Sequence, residues 1–357
     1  MLISFILLLL TGLIILFAAS YYNALDKGSA LSEVYSQLVG IAVGAMGMAV
    51  VLRVDYRILA KPAISGALVG VSIILLILVA IPGVGRYING SRRWLVIGPV
   101  SFQPSEMAKY ASIVFLARAL STGKRDIRLM LRTVLPLFVV PGIMFMLILM
   151  QPNLSTAGSI IIVAVVMVML AGARWVHLGM LGVSGMALGT FYALSEDYRR
   201  ARLMSFTHPF DFLTNEGYQL SQSLMAFASG GLFGMGLGKG RQKYSFLPYP
   251  ESDFIFAIVG EDLGFMGCVA VLALFAAFVF FGLRVALRCR DRFGSLLAGG
   301  ITAMIGVQCV MNVMVVTGLM PTTGLPLPFF SSGGTSVAIA MCAAAVVMNV
   351  SRSVDEY

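Results

Sequence analysis

Acidic side chains gather at the start of one long apolar segment. Asp253 follows a proline-containing loop, and Glu261 and Asp262 come two helical turns later, about 12 Å along a helix axis. Beyond them the sequence is almost purely apolar as far as Leu283. Because a carboxylate is costly where a helix enters lipid unless it faces a cavity or a partner, we interpret Asp253 as a functional residue. Aspartate after a proline-rich loop is also a good helix N-cap, and the two roles are compatible.

Glu261 and Asp262 have a simpler, structural interpretation. Carboxylates inside an apolar helix would be buried, and would either pair with a neighbouring helix or be held protonated. We favour that interpretation for Glu261, and we also retain this residue as a candidate support for chemistry at Asp253.

Basic side chains cluster near the start of another predicted helix. Arg92 and Arg93 precede its expected first residue, Pro104, and Lys109 falls in its first turns. The forked guanidinium of arginine matches phosphate oxygens two at a time, so the cluster predicts an anion site. Contact with lipid headgroups is the alternative. Cations and a carboxylate on one membrane face would suit a lipid-linked polyanion, with the carboxylate accepting a proton from an attacking hydroxyl.

The composition is that of a membrane protein. Of 357 residues, 59% are hydrophobic and 11% are charged, and the mean hydropathy is +0.93, whereas soluble domains carry about 25% charged residues. The net charge of +9 fits topology signals and anionic lipids, and no basic soluble region supports nucleic-acid binding. Four cysteines without CxxC spacing and two histidines argue against a disulfide framework and a histidine-based metal cluster.

Apolar runs of sufficient length predict the fold class. A helix needs about 20 apolar residues to cross a bilayer. The chain is therefore predicted to be an all-α, polytopic integral membrane protein, a single membrane domain over residues 1–357. The first run has no cleavage site and is interpreted as a membrane helix. The ten predicted transmembrane helices lie near residues 2–20, 34–52, 64–81, 107–120, 134–150, 155–172, 175–194, 254–283, 296–318 and 333–350.

Basic loops set the predicted orientation. Residues 53–62, 118–132 and 284–295 are short and rich in arginine and lysine, so the positive-inside rule places them in the cytoplasm together with both termini. The long polar segments, about 82–106 and 195–252, are then on the outer face. The second of them forms a large outer loop between helices 7 and 8.

A series of short polar and glycine-rich motifs extends along nearly the whole chain. They are Ser91-Arg92-Arg93-Trp94, Phe102-Gln103-Pro104-Ser105-Glu106, Gln151-Pro152-Asn153-Leu154, Gly217-Tyr218-Gln219, Gly230-Gly231-Leu232-Phe233-Gly234, Ser252-Asp253-Phe254-Ile255-Phe256, Gly260-Glu261-Asp262-Leu263-Gly264 and Gly324-Leu325-Pro326-Leu327-Pro328-Phe329. In these motifs and in their order, the chain resembles the SEDS family (shape, elongation, division and sporulation proteins) of cell-wall glycan polymerases. Within it, the stretch Arg241-Gln242-Lys243 resembles the FtsW and SpoVE branch more than the RodA branch.

The resemblance implies an enzyme. It would be a peptidoglycan glycosyltransferase that polymerises lipid II at the outer face of the bacterial cytoplasmic (inner) membrane, during cell division or related cell-wall synthesis. Asp253 would be its catalytic base, accepting a proton from a sugar hydroxyl. The residues expected to bind the substrate are the cations Arg92, Arg93, Lys109 and Arg202, with Gln103 as a polar support.

A cofactor and a protein partner are implied in the same way. The resemblance implies a divalent cation, Mg or Mn, although the sequence shows no ligand set for one. It also implies a class B penicillin-binding protein, a transpeptidase with one membrane helix. Small residues favour helix pairing in lipid, so spans eight and nine are the expected docking face, with Gly260, Gly264 and Gly267 along span eight.

Three positions depart from the family pattern. Asp262 stands where glutamate is usual, Ser332 where tyrosine is usual, and Asn153 where aspartate is usual. Because Asn153 removes a negative charge from the outer face, no metal is assigned to it.

Two other functions remain open at this point: a lipid II flippase and a non-catalytic scaffold of the division machinery. A flippase also needs membrane helices and polar groups, but it needs no base at the outer rim. A scaffold would have no use for cations paired with a carboxylate.

Overall fold

The computed structural model is built almost entirely of helices. It describes residues 1–26, 32–88, 91–97, 100–123, 133–194, 204–211, 217–244 and 246–355. Short 3₁₀ helices span Tyr56–Ala60 and Pro209–Asp211. The α-helices are α1 (Leu2–Asp26), α2 (Ser32–Arg53), α3 (Pro62–Ala80), α4 (Pro104–Ser121), α5 (Leu135–Leu137), α6 (Val139–Leu149), α7 (Leu154–Leu170), α8 (Trp175–Leu194), α9 (Tyr218–Gly230), α10 (Ile255–Arg288), α11 (Arg292–Val316) and α12 (Gly334–Asp355).

The helices agree with the predicted polytopic membrane fold. Within the described residues, α1, α2, α3, α10, α11 and α12 are long and apolar enough to cross a membrane. Helices also occupy the other four predicted span positions, as α4, α6, α7 and α8. Helix α4 begins at Pro104, as predicted, because proline suits the first helical position. The helical membrane fold is confirmed, and the count of ten crossings stays a prediction.

The first predicted outer segment folds as a small β-sheet, a departure from the all-α prediction. It is an antiparallel meander of three strands, in sheet order β1 (Arg86–Ile88), β2 (Ser91–Ile97) and β3 (Val100–Phe102). β2 is rich in β-branched and aromatic residues, which favour strands. Because successive side chains of a strand point to opposite faces, Arg92 and Arg93 lie on opposite faces of this sheet.

Helix α10 is interrupted at Gly264, where φ is +70°. The segment that follows α9 pairs with the backbone at this kink. The Phe265 N–H donates to the Gly231 carbonyl at 2.9 Å, and the Met235 N–H donates to the Glu261 carbonyl at 2.9 Å. Backbone polar groups at membrane depth must find partners inside the protein, and this segment supplies them. Predicted span eight is therefore two helical pieces, of which the first is almost wholly buried.

Glycines of α10 are used for packing inside the molecule. A Cβ placed on Gly260 would lie 2.3 Å from the ring of Phe227, and one on Gly264 would lie 2.3 Å from the backbone nitrogen of Gly234. These glycines let α9 and the segment after it approach α10 closely. The expectation that Gly260 and Gly264 form an outward docking face is therefore wrong.

Helix α11 forms the centre of the bundle. It packs against α4, α7, α10 and α12, and most of its residues are buried, including the polar side chains of Thr302, Gln308 and Asn312. Buried polar groups need hydrogen-bond partners. The Asn312 side chain donates to one carbonyl in the loop before α10 and to one in the loop after α11.

Opposite ends of the bundle carry different kinds of contact. At one end the predicted cytoplasmic segments meet, where the Tyr56 hydroxyl donates to Asp291 Oδ2 at 3.1 Å and Arg352 Nη1 donates to the Leu52 carbonyl at 2.6 Å. The loop before α11 is shorter than predicted, because α10 continues to Arg288. At the other end lie the sheet and the loop that carries the candidate base. The predicted cytoplasmic and outer segments thus lie at opposite ends of the bundle, and the orientation of the bundle in the membrane stays a prediction.

Candidate active site

A cavity of about 240 Å³ opens at the predicted outer end of the bundle. Its walls come from the sheet, from the N-terminal ends of α4, α7 and α12, from α9, and from the loops before α10 and after α11. The polar and aromatic residues that line it are Ser91, Arg93, Trp94, Gln103, Asn153, Thr156, Gln219, Tyr249, Ser252, Asp253, Ser332 and Ser336.

Asp253 is the one carboxylate among the described residues that line this cavity. The residue is half-buried. A Cβ on Gly324 would lie 3.6 Å from Asp253 Oδ2, so the opposite wall is close. Helix α10 begins at Ile255, and Phe254 occupies its N-cap position. The alternative interpretation of Asp253 as the N-cap is therefore wrong, and its side chain belongs to the cavity.

The backbone around Asp253 is held by side chains from distant parts of the chain. Asn312 Nδ2 donates to the Asp253 carbonyl at 2.7 Å, and the Ser331 hydroxyl donates to the Ser252 carbonyl at 2.6 Å. Neither donor was predicted from the sequence. The available signal was the polar amide of Asn312 inside the long, mostly apolar span that forms α11.

The two predicted arginines are separated by the sheet. Arg93 lines the cavity, where its Nε donates to the Gln151 carbonyl at 2.8 Å and its Nη2 donates to the Pro152 carbonyl. These bonds hold the guanidinium against the turn before α7. Arg92 is not part of the lining, and its guanidinium carbon lies 5.8 Å from the centre of the Tyr87 ring.

Gln103 and Lys109 are placed differently from each other. Gln103 lines the cavity at the N-cap position of α4. Lys109 is fully buried, and its Nζ lies 2.8 Å from Glu106 Oε1. The Ser336 hydroxyl, itself in the lining, donates to Glu106 Oε2 at 2.8 Å, so this ion pair lies behind the cavity wall. Arg202 lies outside the described residues, and its role stays a prediction.

Asn153 has a structural role that suits an amide. Its Oδ1 accepts from the Thr156 N–H at 3.3 Å and so caps α7, and both residues line the cavity. Asparagine and aspartate are equally good N-caps. The departure from the family pattern at this position therefore keeps the local fold while removing a charge from the cavity.

Glu261 and Asp262 lie away from the cavity and are fully buried. Glu261 accepts from the N–H groups of Arg241 at 2.6 Å and Gln242 at 3.1 Å. Asp262 accepts from the N–H groups of Gly238 and Gly240, and its two oxygens each lie 3.0 Å from Lys243 Nζ. The predicted structural role is thus supported, although the partner is a loop and not a neighbouring helix.

Comparison with known proteins agrees with this geometry. A sequence model described as "Cell cycle protein", for FtsW, RodA and SpoVE, matches residues 1–356. The chain belongs to the FtsW/RodA/SpoVE family. Among its relatives, Stage V sporulation protein E of Bacillus subtilis (strain 168) is 41% identical over 348 residues, which cover 97% of this chain and 94% of that protein.

Two further relatives extend the likeness. The probable peptidoglycan glycosyltransferase FtsW of Trichlorobacter lovleyi is 38% identical over 315 residues, covering 88% of this chain and 82% of that protein. A chain from a solved peptidoglycan synthase complex, described for its coordination of polymerization and crosslinking, has a TM-score of 0.79 at 28% identity, covering 99% of this chain and 98% of that chain. Sequence and structure therefore agree over almost the whole length.

In this FtsW/RodA/SpoVE protein, motifs that are far apart in the sequence meet at one place. The cavity takes Arg93 from the first motif, Gln103 from the second, Asn153 from the third and Asp253 from the sixth. Together with the six apolar helices, the family relationship makes the chain a multi-pass membrane protein of the bacterial inner membrane.

The implied divalent cation fits the cavity only if a ligand shares it. Among the described residues, three or more His, Cys, Asp or Glu side chains do not come together as a metal-binding group. Mg²⁺ is commonly bound by one or two carboxylates together with substrate phosphates. Such a cation would be held mainly by the substrate phosphates, whose charge it would neutralise.

Proposed function

We propose that this protein is a peptidoglycan glycosyltransferase that polymerises lipid II at the outer face of the bacterial cytoplasmic membrane. The observation that carries the proposal is the cavity in which Asp253 and Arg93 lie together, built from family motifs at the predicted outer end. A relative that is 38% identical carries the name probable peptidoglycan glycosyltransferase.

Asp253 acts as the general base in this proposal. The acceptor presents a sugar 4-hydroxyl, which is a poor nucleophile while it keeps its proton. The carboxylate accepts that proton as the hydroxyl oxygen forms a bond to the donor sugar's anomeric carbon. A positioned base of this kind accelerates transfer by about 10²–10⁴-fold.

Cationic groups receive the leaving pyrophosphate. The bond between the anomeric carbon and the phosphate oxygen breaks, and negative charge develops on that oxygen. Preorganised donors aimed at developing charge are a large source of rate enhancement. Arg93, held by two backbone carbonyls, is the cavity cation best placed for this role. Arg92 and Lys109 lie outside the cavity lining and are proposed to contribute only through their charge, and Arg202 remains a proposed contributor, with Gln103 as a polar support.

Incubation of purified protein with lipid II, followed by glycan-chain analysis, tests the activity directly. The assay is run with the protein alone and with a cognate transpeptidase; we expect polymer when both are present, and none from vesicles that lack the parent protein. Movement of labelled lipid II across liposomes without polymer would instead support a flippase. The absence of both polymer and lipid movement with the purified protein would support a scaffold.

We also propose a class B penicillin-binding protein as the partner. The solved relative belongs to a complex that coordinates polymerization with crosslinking, and a transpeptidase performs crosslinking. Beyond the kink, α10 presents exposed apolar side chains, among them Phe265, Met266 and Val269. Charged substitution of Met266 should abolish co-purification of the partner. Undiminished activity after removal of every such transpeptidase would contradict a required partnership.

A further inference from the structure

Three consecutive carbonyls at the candidate base accept hydrogen bonds from residues far away in the sequence. Asp253 precedes the first residue of α10, so its backbone is not held by the hydrogen bonds of that helix. These three bonds fix the position from which its side chain extends. Donor first, they are Asn312 Nδ2 to Asp253 O (2.7 Å), Ser331 Oγ to Ser252 O (2.6 Å) and Ser332 N to Glu251 O (2.7 Å).

Asn312 connects two walls of the cavity. Its side chain is 1% exposed on the central helix α11. Besides the bond to Asp253, its Nδ2 donates to the Leu325 carbonyl at 2.7 Å, so the amide uses both of its N–H donors. Leu325 follows Gly324, where a Cβ would lie 3.6 Å from Asp253 Oδ2. One buried amide therefore sets the spacing between the carboxylate's loop and the opposite wall.

Ser331 braces the same loop from a second direction. Its hydroxyl accepts from the Leu327 N–H at 2.8 Å while it donates to the Ser252 carbonyl. The hydroxyl is thus used both as donor and as acceptor, which leaves it one geometry in this turn. The loop that carries Asp253 is held by α11 and by the turn before α12 together.

We propose that Asn312 is a positioning residue for Asp253 and that Ser331 assists it. The inference rests on the proposed function, in which Asp253 is the base. A base must come within about 2.6–3.2 Å of the proton's oxygen, and a misplacement of about 1 Å can cost about 10²-fold in rate. A carboxylate carried on a loop needs such support more than one carried on a helix.

Asn312→Leu keeps a similar volume and removes both donors. We expect kcat for lipid II polymerisation to fall by about 10–10²-fold, while KM changes by less than about threefold, because the proposed phosphate contacts lie elsewhere. The measurement is the initial rate of glycan polymerisation by the purified full chain over a range of lipid II concentrations. An unchanged kcat would overturn the inference.

Asn349 offers a matched control at the opposite end of the bundle. Its Nδ2 also donates to two carbonyls, those of Val51 and Val54, both at 2.6 Å. Asn349→Leu should lower the melting temperature about as much as Asn312→Leu, but it should leave kcat near the parent value. If both variants lose kcat equally, the effect of Asn312 is one of general stability and the inference is wrong.

Asp253→Asn separates failure of this inference from failure of the proposed function. If that variant keeps the parent rate, Asp253 is not the base, so the assigned mechanism and the positioning inference both fail although the protein still polymerises lipid II. If it is inactive while Asn312→Leu keeps its kcat, only the positioning role fails. When Asn312→Leu is added to Asp253→Asn, we expect less than about twofold further loss, since residues that act as a unit are non-additive. A full additional loss would overturn the inference.

Ser331→Ala provides a milder variant in case Asn312→Leu does not fold. It removes one donor to the loop and leaves Asn312 in place. We expect a fall in kcat that is smaller than that of Asn312→Leu, with an unchanged KM. A parent-like kcat in a folded Ser331→Ala protein would count against a positioning role for Ser331.

Discussion

Asp253 and the pair Glu261 and Asp262 are carboxylates of one short stretch, but their surroundings differ completely. Asp253 is half-buried and lines a cavity of about 240 Å³. Glu261 and Asp262 are 0% and 1% exposed, and both accept backbone N–H groups from the loop between α9 and α10. A carboxylate whose oxygens are occupied by fixed donors holds a loop in place. Asp253 lines a cavity that a ligand can enter, whereas Glu261 and Asp262 lie away from it.

Each site also has its own cation. Lys243 is 2% exposed and lies 3.0 Å from Asp262 in the buried site. Arg93 lies in the cavity that holds Asp253, tied to the turn before α7. The buried cation is neutralised by its partner carboxylate, whereas the cavity cation is positioned by neutral carbonyls. We therefore expect the buried site of Glu261 and Asp262 to govern stability, and the cavity that holds Asp253 to govern catalysis.

The largest effect is expected for Asp253→Asn. The amide keeps the size of the side chain but cannot accept the proton, so polymerisation should fall by about 10²–10⁴-fold. Thermal stability in detergent should stay close to the parent value, and so should lipid II binding, which depends on the cations. If the variant polymerises at the parent rate, the base must be sought at Glu261 or in the substrate.

Lys243→Met should have the opposite effect, with a large loss of stability and little loss of polymerisation. It leaves the buried Asp262 without its cation, and removing one partner of a buried ion pair typically costs about 3–5 kcal/mol. We expect a lower melting temperature and a lower yield of folded protein, with a nearly normal polymerisation rate per folded molecule. Lys239→Met, a change at an exposed lysine of the same loop, is the matched control and should alter neither quantity.

Arg93→Lys tests whether the cavity cation must be a forked guanidinium or only a positive charge. Lysine keeps the charge, but it cannot reproduce the paired bonds from Nε and Nη2 to the carbonyls of Gln151 and Pro152. We expect kcat/KM to fall by about tenfold, equivalent to about 1.4 kcal/mol. Kinetics over a range of lipid II concentrations measures this. A fully active Arg93→Lys protein would show that charge alone is sufficient.

Arg92→Ala should have the smallest effect of the four. Its guanidinium packs on Tyr87 outside the cavity lining, and a cation–π contact at such a site is worth about 0.5–1 kcal/mol. The loss of polymerisation should therefore stay below about fivefold. An effect as large as that of Arg93→Lys would show that both arginines bind the substrate, as predicted from the sequence.

The sequence alone determined the properties that depend on neighbouring residues. Long apolar runs predicted the membrane helices, because a lipid-spanning helix must be apolar over a set length. Proline at Pro104 predicted the start of α4 for a local reason, its fixed φ. The ordered motifs indicated the family, and they singled out Asp253 as the candidate base.

Only the tertiary structure decided which of those residues meet. The pleat of β2 sends Arg93, and not Arg92, to the cavity, and the packing of α4 buries Lys109 against Glu106. Spacing along the chain could not show that Asn312 reaches Asp253, because that hydrogen bond joins two elements that are brought together by packing of the bundle. Local rules act through hydrogen bonds and solvation of nearby groups, whereas the geometry of the site depends on how whole helices and loops lie against each other.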